Sequence, residues 1–326
     1  MSAATFRIAG WVGAMAMLGI LAGCGDKSSE ASAGSVADAV PPQQFASPED
    51  AAAALVSAAE KYDVPALTSI LGSAGRSIIQ SGDSVGDRNN AVGFAGQARV
   101  KQHIDLDSAK TTAHLVVGPA DWPLPVPIVK RGDKWAFDAA TGQEEVLRRR
   151  IGRNELDAIQ VCLGYVEAQH GYSLVKHDGA RVNQYAQRVI STPGKQDGLA
   201  WQAKDGTWQG PVAERIARAI EEGYSIDAPP YHGYLFKILK GQGPAAPMGQ
   251  MDFVVDSAMI GGFALVAAPA EYLVTGVKTF IVSHSGIVYE KDLGDKTLEQ
   301  FKAMDRYNPD KTWKVTEDDV EDDSSD

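Results

Sequence analysis

Cysteine is scarce: the 326 residues hold two, Cys24 and Cys162. At most one disulfide is possible, and none if Cys24 is otherwise engaged, so stability must come from packing. Cations are outnumbered, with 31 Lys and Arg against 42 Asp and Glu and a net charge of −11. Such a chain repels phosphate backbones, which excludes nucleic acid as a partner, and it gains nothing from anionic lipid headgroups. No His-x-x-x-His or His-Glu-x-x-His spacing occurs among the six histidines, so no helical metal site is expected. No Gly-x-Ser-x-Gly elbow is present for an esterase serine. Gly194-Lys195 lacks both the upstream glycine and the following Ser or Thr of a phosphate-binding loop. These absences leave no catalytic or cofactor motif and predict neither a cofactor nor a metal ion.

What is present begins with an address. Arg7 precedes an uncharged apolar run from Ile8 to Ile20. That is short of the roughly 18–20 residues that span a bilayer as a helix, and it fits the apolar region of a secretory signal. Leu21-Ala22-Gly23-Cys24 follows and resembles the lipobox of bacterial lipoproteins. The resemblance implies removal of residues 1–23, lipid on the Cys24 thiol and an acyl group on the new amino terminus. Two or more chains anchor stably. Gly25 rather than Asp follows the cysteine, the pattern of an outer-membrane destination, and Asp26 comes one position later. The expected location is the periplasmic side of the bacterial envelope.

Residues 24–44, rich in Ser, Ala and Gly and ending in Pro41-Pro42-Gln43-Gln44, read as a flexible tether. At the other end, 315–326 read as a disordered acidic tail, since Glu317 to Asp326 carry carboxylates and no cation. A Ca²⁺ loop there would need a turn glycine, which is missing.

Between them the length suggests two α+β domains, 45–140 and 141–314. In the first, Ser47-Pro48 opens a helix to Lys61, Asp63-Val64-Pro65 opens a second ending near Gly72, and a third covers 90–100. Alternating strands follow at 100–106, 111–117, 126–130 and 134–138. Helices and then an antiparallel meander resemble NTF2-like or cystatin-like folds. The second domain opens with a Thr141–Glu144 capping box and a helix over 142–170, with a stripe of Leu147, Ile151, Ala158, Cys162, Tyr165 and Gln169. Arg148, Arg149, Arg150 and Arg153 read as a solvated face paired with Glu144, Glu145 and Glu155, the alternative being an anion grip. A short helix at 211–223 and strands at 234–239, 251–255, 262–267, 278–282 and 287–291 complete the domain, with a final helix at 297–304.

Tyr231-His232-Gly233-Tyr234, after two prolines and at a strand start, is the candidate ligand-binding segment through Tyr231, His232 and Tyr234. The plainer alternative is aromatic packing on the sheet. His284 is expected to be exposed in its turn, and Cys162 to be a buried structural thiol.

Several segments carry a family likeness. They include Asp121-Trp122-Pro123-Leu124-Pro125, Ile151-Gly152-Arg153-Asn154-Glu155-Leu156, Ser191-Thr192-Pro193-Gly194-Lys195, Pro230-Tyr231-His232-Gly233-Tyr234 and Met259-Ile260-Gly261-Gly262-Phe263. Over about residues 42 to 312 the chain resembles the bacterial family filed as domain of unknown function twenty-nine fifty. The resemblance implies an exported protein and transfers no catalytic residue. The order of the long helix, Gly233-Tyr234-Leu235-Phe236 and the later strands also resembles the globular part of pilin-like subunits. The functional expectation is an envelope lipoprotein that binds a partner protein or cell-wall component. The alternative is an envelope hydrolase with its site near His232.

Overall fold

The computed structural model describes residues 40–222, 224 and 230–316. The apolar leader, Cys24 and the acidic run from Glu317 lie outside the described residues. Those described belong to one compact unit of α+β architecture with two hydrophobic cores.

The first core lies between helices and a sheet. Helix α1 (Pro48–Lys61) starts at Ser47, whose hydroxyl accepts from the Asp50 N–H at 3.0 Å. α2 (Val64–Leu71) is capped by Asp63 and stops at Gly72, followed by the single turn α3 (Arg76–Ile79). Gly72 has φ +72° and a Cβ there would sit 2.9 Å from Val40 O and Pro42 N. That close approach fixes residues 40–44, read above as tether, along α2: Ser73 N–H donates to Val40 O and Gln43 N–H to Ser69 O. α4 (Ser84–Val100) begins six residues before the expected start, at an Asp83 cap. The sheet has the order β1 (Gln102–Leu106), β2 (Thr112–Val117), β4 (Ile128–Arg131), β5 (Lys134–Phe137), all antiparallel, with a short β3 (Trp122–Pro123) on β2.

α5 (Ala139–Ser173) runs on without a break through Gly152 and Asn154. Its cap is Asp138 rather than the Thr141 box; Thr141 donates both its N–H and its hydroxyl to Asp138. The buried stripe is Arg150, Asn154, Ala158, Cys162, Tyr165, Gln169 and Tyr172, so the expected Leu147 and Ile151 sit beside it, half-buried. Sequence hydrophobicity misplaces the stripe here because its first two members are polar. Its amino-terminal end meets α3 of the first core, while the rest packs on the second sheet.

After α5 come a two-stranded ribbon, β6 (Trp201–Gln202) with β7 (Trp208–Gln209), and α6 (Ala213–Glu221). The second sheet has the order β8 (Tyr234–Leu239), β13 (Ala264–Pro269), β14 (Lys278–Ser283), β15 (Val288–Asp292), β16 (Lys314–Val315), again antiparallel. Small ribbons intervene: β9 (Gly241–Gln242) with β10 (Met251–Asp252), and β11 (Val254–Val255) with β12 (Ala258–Met259). α7 (Thr297–Ala303) rests on β13. Val315, read as the start of the tail, pairs with Tyr289 as part of the sheet edge. No described helix is long and apolar enough to cross a membrane.

Candidate functional site

The site forms where α4, α5 and the turn entering β8 meet. Tyr231 and Tyr234 exchange both backbone hydrogen bonds, at 2.9 and 3.0 Å, around His232-Gly233. Both turn residues have positive φ, +47° and +74°. This is a type I′ hairpin turn, and it puts His232 at the tip. Gly233 is required twice over: its φ is left-handed, and a Cβ would sit 2.6 Å from Asn154 Nδ2.

Both nitrogens of His232 are engaged. Nδ1 is 2.9 Å from Asp157 Oδ2 on α5, and Nε2 is 3.2 Å from Glu222 Oε2 just after α6. Tyr231 stacks on the ring at 4.1 Å. Burial pulls the imidazole pKa down, but the hydrogen bonds and charges of Asp157 and Glu222 outweigh it and raise the pKa above the ordinary 6.5. With two carboxylates as acceptors, the doubly protonated ring satisfies every bond.

Asp83 ties this turn to the first core. Its Oδ1 caps α4 by accepting from Gly86 N–H, and its Oδ2 accepts from the Tyr224 hydroxyl and the Gly233 N–H, each at 2.9 Å. Burial, and the charge and hydrogen bond of Asp83, hold the Tyr224 phenol well above its usual range. Beside it, Asp87 accepts from Ser81 N–H at 2.7 Å and Ser81 Oγ at 2.8 Å. Arg150, also buried, donates to the carbonyls of Ser77 and Ile78 and stands 4.0 Å from Asp87. Asn154 donates to Thr275 O. Together these groups enclose a polar hollow of about 330 Å³.

Of the three residues singled out by sequence, only His232 faces this hollow. Tyr234 is buried in the second core with its hydroxyl on Lys278 O, and with Tyr231 it lines a separate apolar space. Spacing gave no sign of Asp83, Asp157, Glu222 or Tyr224. Asp83 was findable as a helix cap had α4 been extended; the others are gathered only by folding. Among the described residues no cluster of three or more His, Cys, Asp or Glu could hold a metal ion.

The arginine cluster divides. Arg148 and Arg149 do pair with Glu145, at 2.8 and 2.7 Å, and Arg149 lies over Trp122 at 4.9 Å. Arg150 is buried instead. Glu155 accepts from the N–H groups of Val277 and Lys278 rather than from an arginine. Burial pushes the Cys162 thiol up to about 12. His284 is half-buried rather than exposed, its Nδ1 without a hydrogen-bond partner among the described residues.

No curated protein and no solved structure matches the chain. Residues 42–316 match the family described as Protein of unknown function (DUF2950), and the chain belongs to that family.

Proposed function

We propose that this protein is a lipid-anchored protein of the bacterial envelope whose folded body acts by binding rather than by catalysis. The placement rests on the sequence Leu21-Ala22-Gly23-Cys24 after a short apolar run. The preference for binding rests on one observation. A general base needs an imidazole nitrogen free to accept a proton, and both nitrogens of His232 are committed to carboxylates. Among the described residues, the other candidate bases lining that hollow are carboxylates already accepting hydrogen bonds.

Two measurements test this. Metabolic labelling with tritiated palmitate should mark the wild-type chain and not Cys24→Ser, and only the wild type should float with membranes. Equal labelling of both, or of neither, would overturn the anchor. A panel of ester and amide substrates should give no turnover that depends on His232. Turnover lost on His232→Asn would replace binding by catalysis.

A further inference from the structure

The first core is not filled. Between α1, α2, α4, the β2–β4 connection and α5 lies a hollow of about 720 Å³. Small-molecule pockets run from about 300 to 1,000 Å³. A dry engineered cavity of roughly 150 Å³ already takes benzene. Its wall is mostly hydrocarbon, including Leu55, Leu67, Leu71, Phe94, Val126 and Val146. Polar groups gather toward one end: Asp87, Asn90, Arg150 and Arg153, which also line the His232 hollow.

Among the charged residues lining the chamber itself, Arg149, Arg150 and Arg153 stand against Asp87, while Asp83, Asp157 and Glu222 belong to the adjoining hollow. Arg149 is tied to Glu145 and Trp122. Asp87 is engaged by Ser81 and stands 4.0 Å from Arg150. Arg150 spends one bond from each terminal nitrogen on carbonyls, which leaves N–H donors unused. Arg153 has no ion pair among the described residues and is exposed to solvent. Burial pulls the Arg150 pKa down, against the opposing charge of Asp87 and with the Arg153 charge adding to it. An anion at this point would meet unused donors on Arg150 and the Arg153 guanidinium beside it.

We infer that the hollow is a binding chamber for a long-chain carboxylate, with the unbranched acyl tail against the leucines and Phe94 and the carboxylate on Arg150 and Arg153. Guanidinium groups take a planar carboxylate in paired hydrogen bonds. The Asp87 carboxylate at the same end disfavours a doubly charged phosphate. A cationic head would meet the arginines, and a sugar would leave the hydrocarbon wall unmatched. The inference goes beyond the anchoring reading and does not depend on lipid at Cys24.

The test is photolabelling of the full chain with dodecanoate bearing a terminal diazirine, followed by peptide mapping. Saturable labelling should fall on peptides containing Leu55 and Phe94. Dodecanoate should compete; octanoate should compete at least tenfold less well, because each methylene contributes. Dodecyltrimethylammonium should not compete. Arg153→Glu, a surface change, should cut labelling at least tenfold and Arg153→Lys should restore most of it. Ala91→Phe, which narrows the chamber, should cut labelling at least tenfold with the far-UV spectrum unchanged. Labelling scattered over the surface, equal competition by the ammonium compound, or wild-type labelling of Arg153→Glu would overturn the inference. If Ala91→Phe fails to fold, the Arg153 pair and the competition series still decide. Labelling that persists in Cys24→Ser keeps this outcome separate from that of the anchor.

Discussion

The two cores use the same plan, helices on an antiparallel sheet, with different filling. The second is packed with large side chains: Tyr234, Phe253, Phe263, Phe280 and Tyr307 are all essentially without exposed surface. The first is lined on its helices by alanine, with Ala51, Ala52, Ala58, Ala59, Ala95 and Ala98 buried. Small side chains let α1 and α4 approach each other, and too little volume then remains to reach the sheet everywhere. The result is a hollow of about 720 Å³ in the first core, against a smaller one of about 400 Å³ beside α6 at the margin of the second. Protein interiors pack to crystal-like density with few voids, and ligand pockets are the usual large ones. Under the chamber proposed above, reception falls to the first core, whose hollow is the larger and carries the arginines at one end.

The comparison can be broken most easily by truncation. Phe263→Ala should cost about 3–5 kcal/mol, as for aromatic deletions in tight cores. Leu55→Ala, on the chamber wall, should fall near the low end of the ~2–5 kcal/mol leucine range, because its side chain already borders a void. Urea denaturation of both variants checks the order; equal losses would mean the first core is as tightly filled as the second.

The junction comes next. Asp83→Ala removes the α4 cap and strands the Tyr224 hydroxyl and the Gly233 N–H. The expected loss is about 3 kcal/mol, roughly 1 from the cap and the remainder from buried donors left unpaired. Asp83→Asn should recover part of it.

A smaller effect is pH-dependent. The folded pKa of His232 stands above its ordinary value. Its pairing therefore stabilises in full below about pH 6.5 and fades as pH rises through the raised folded value. His232→Asn suits the left-handed turn and removes the charge. The stability gap between wild type and this variant should be largest near pH 5 and close as pH rises through the raised folded pKa. A gap that widens with pH would reverse the assignment. Smallest of all, Arg148→Ala should change stability by less than about 0.5 kcal/mol, since its ion pairs are exposed.

Local rules read much of this fold from sequence. Ser47, Asp63 and the alternation of the strands placed α1, α2, the first sheet and four strands of the second within a few residues of where they lie, while the expected strand at 251–255 splits between two small ribbons outside the sheet. The misses have physical causes. The glycines Gly86, Gly93 and Gly96 dilute the helical signal of α4, which hid its Asp83 start. Arg150 and Asn154 occupy buried stripe positions that a hydrophobicity pattern assigns to solvent, because their partners are backbone carbonyls elsewhere. The candidate site was legible only as His232. Its contacts span 75 residues to Asp157, and those of Asp83 to Gly233 span 150, distances over which spacing carries no information.

The most direct test of the difference in filling is to add volume to each core. Ala91→Phe projects into the chamber, whereas Ala267→Phe projects into the tightly packed second sheet. We predict that thermal and urea unfolding will find the first variant as stable as wild type or more so, and the second weaker by about 1–3 kcal/mol or more through overpacking. A comparable loss in both would contradict the account.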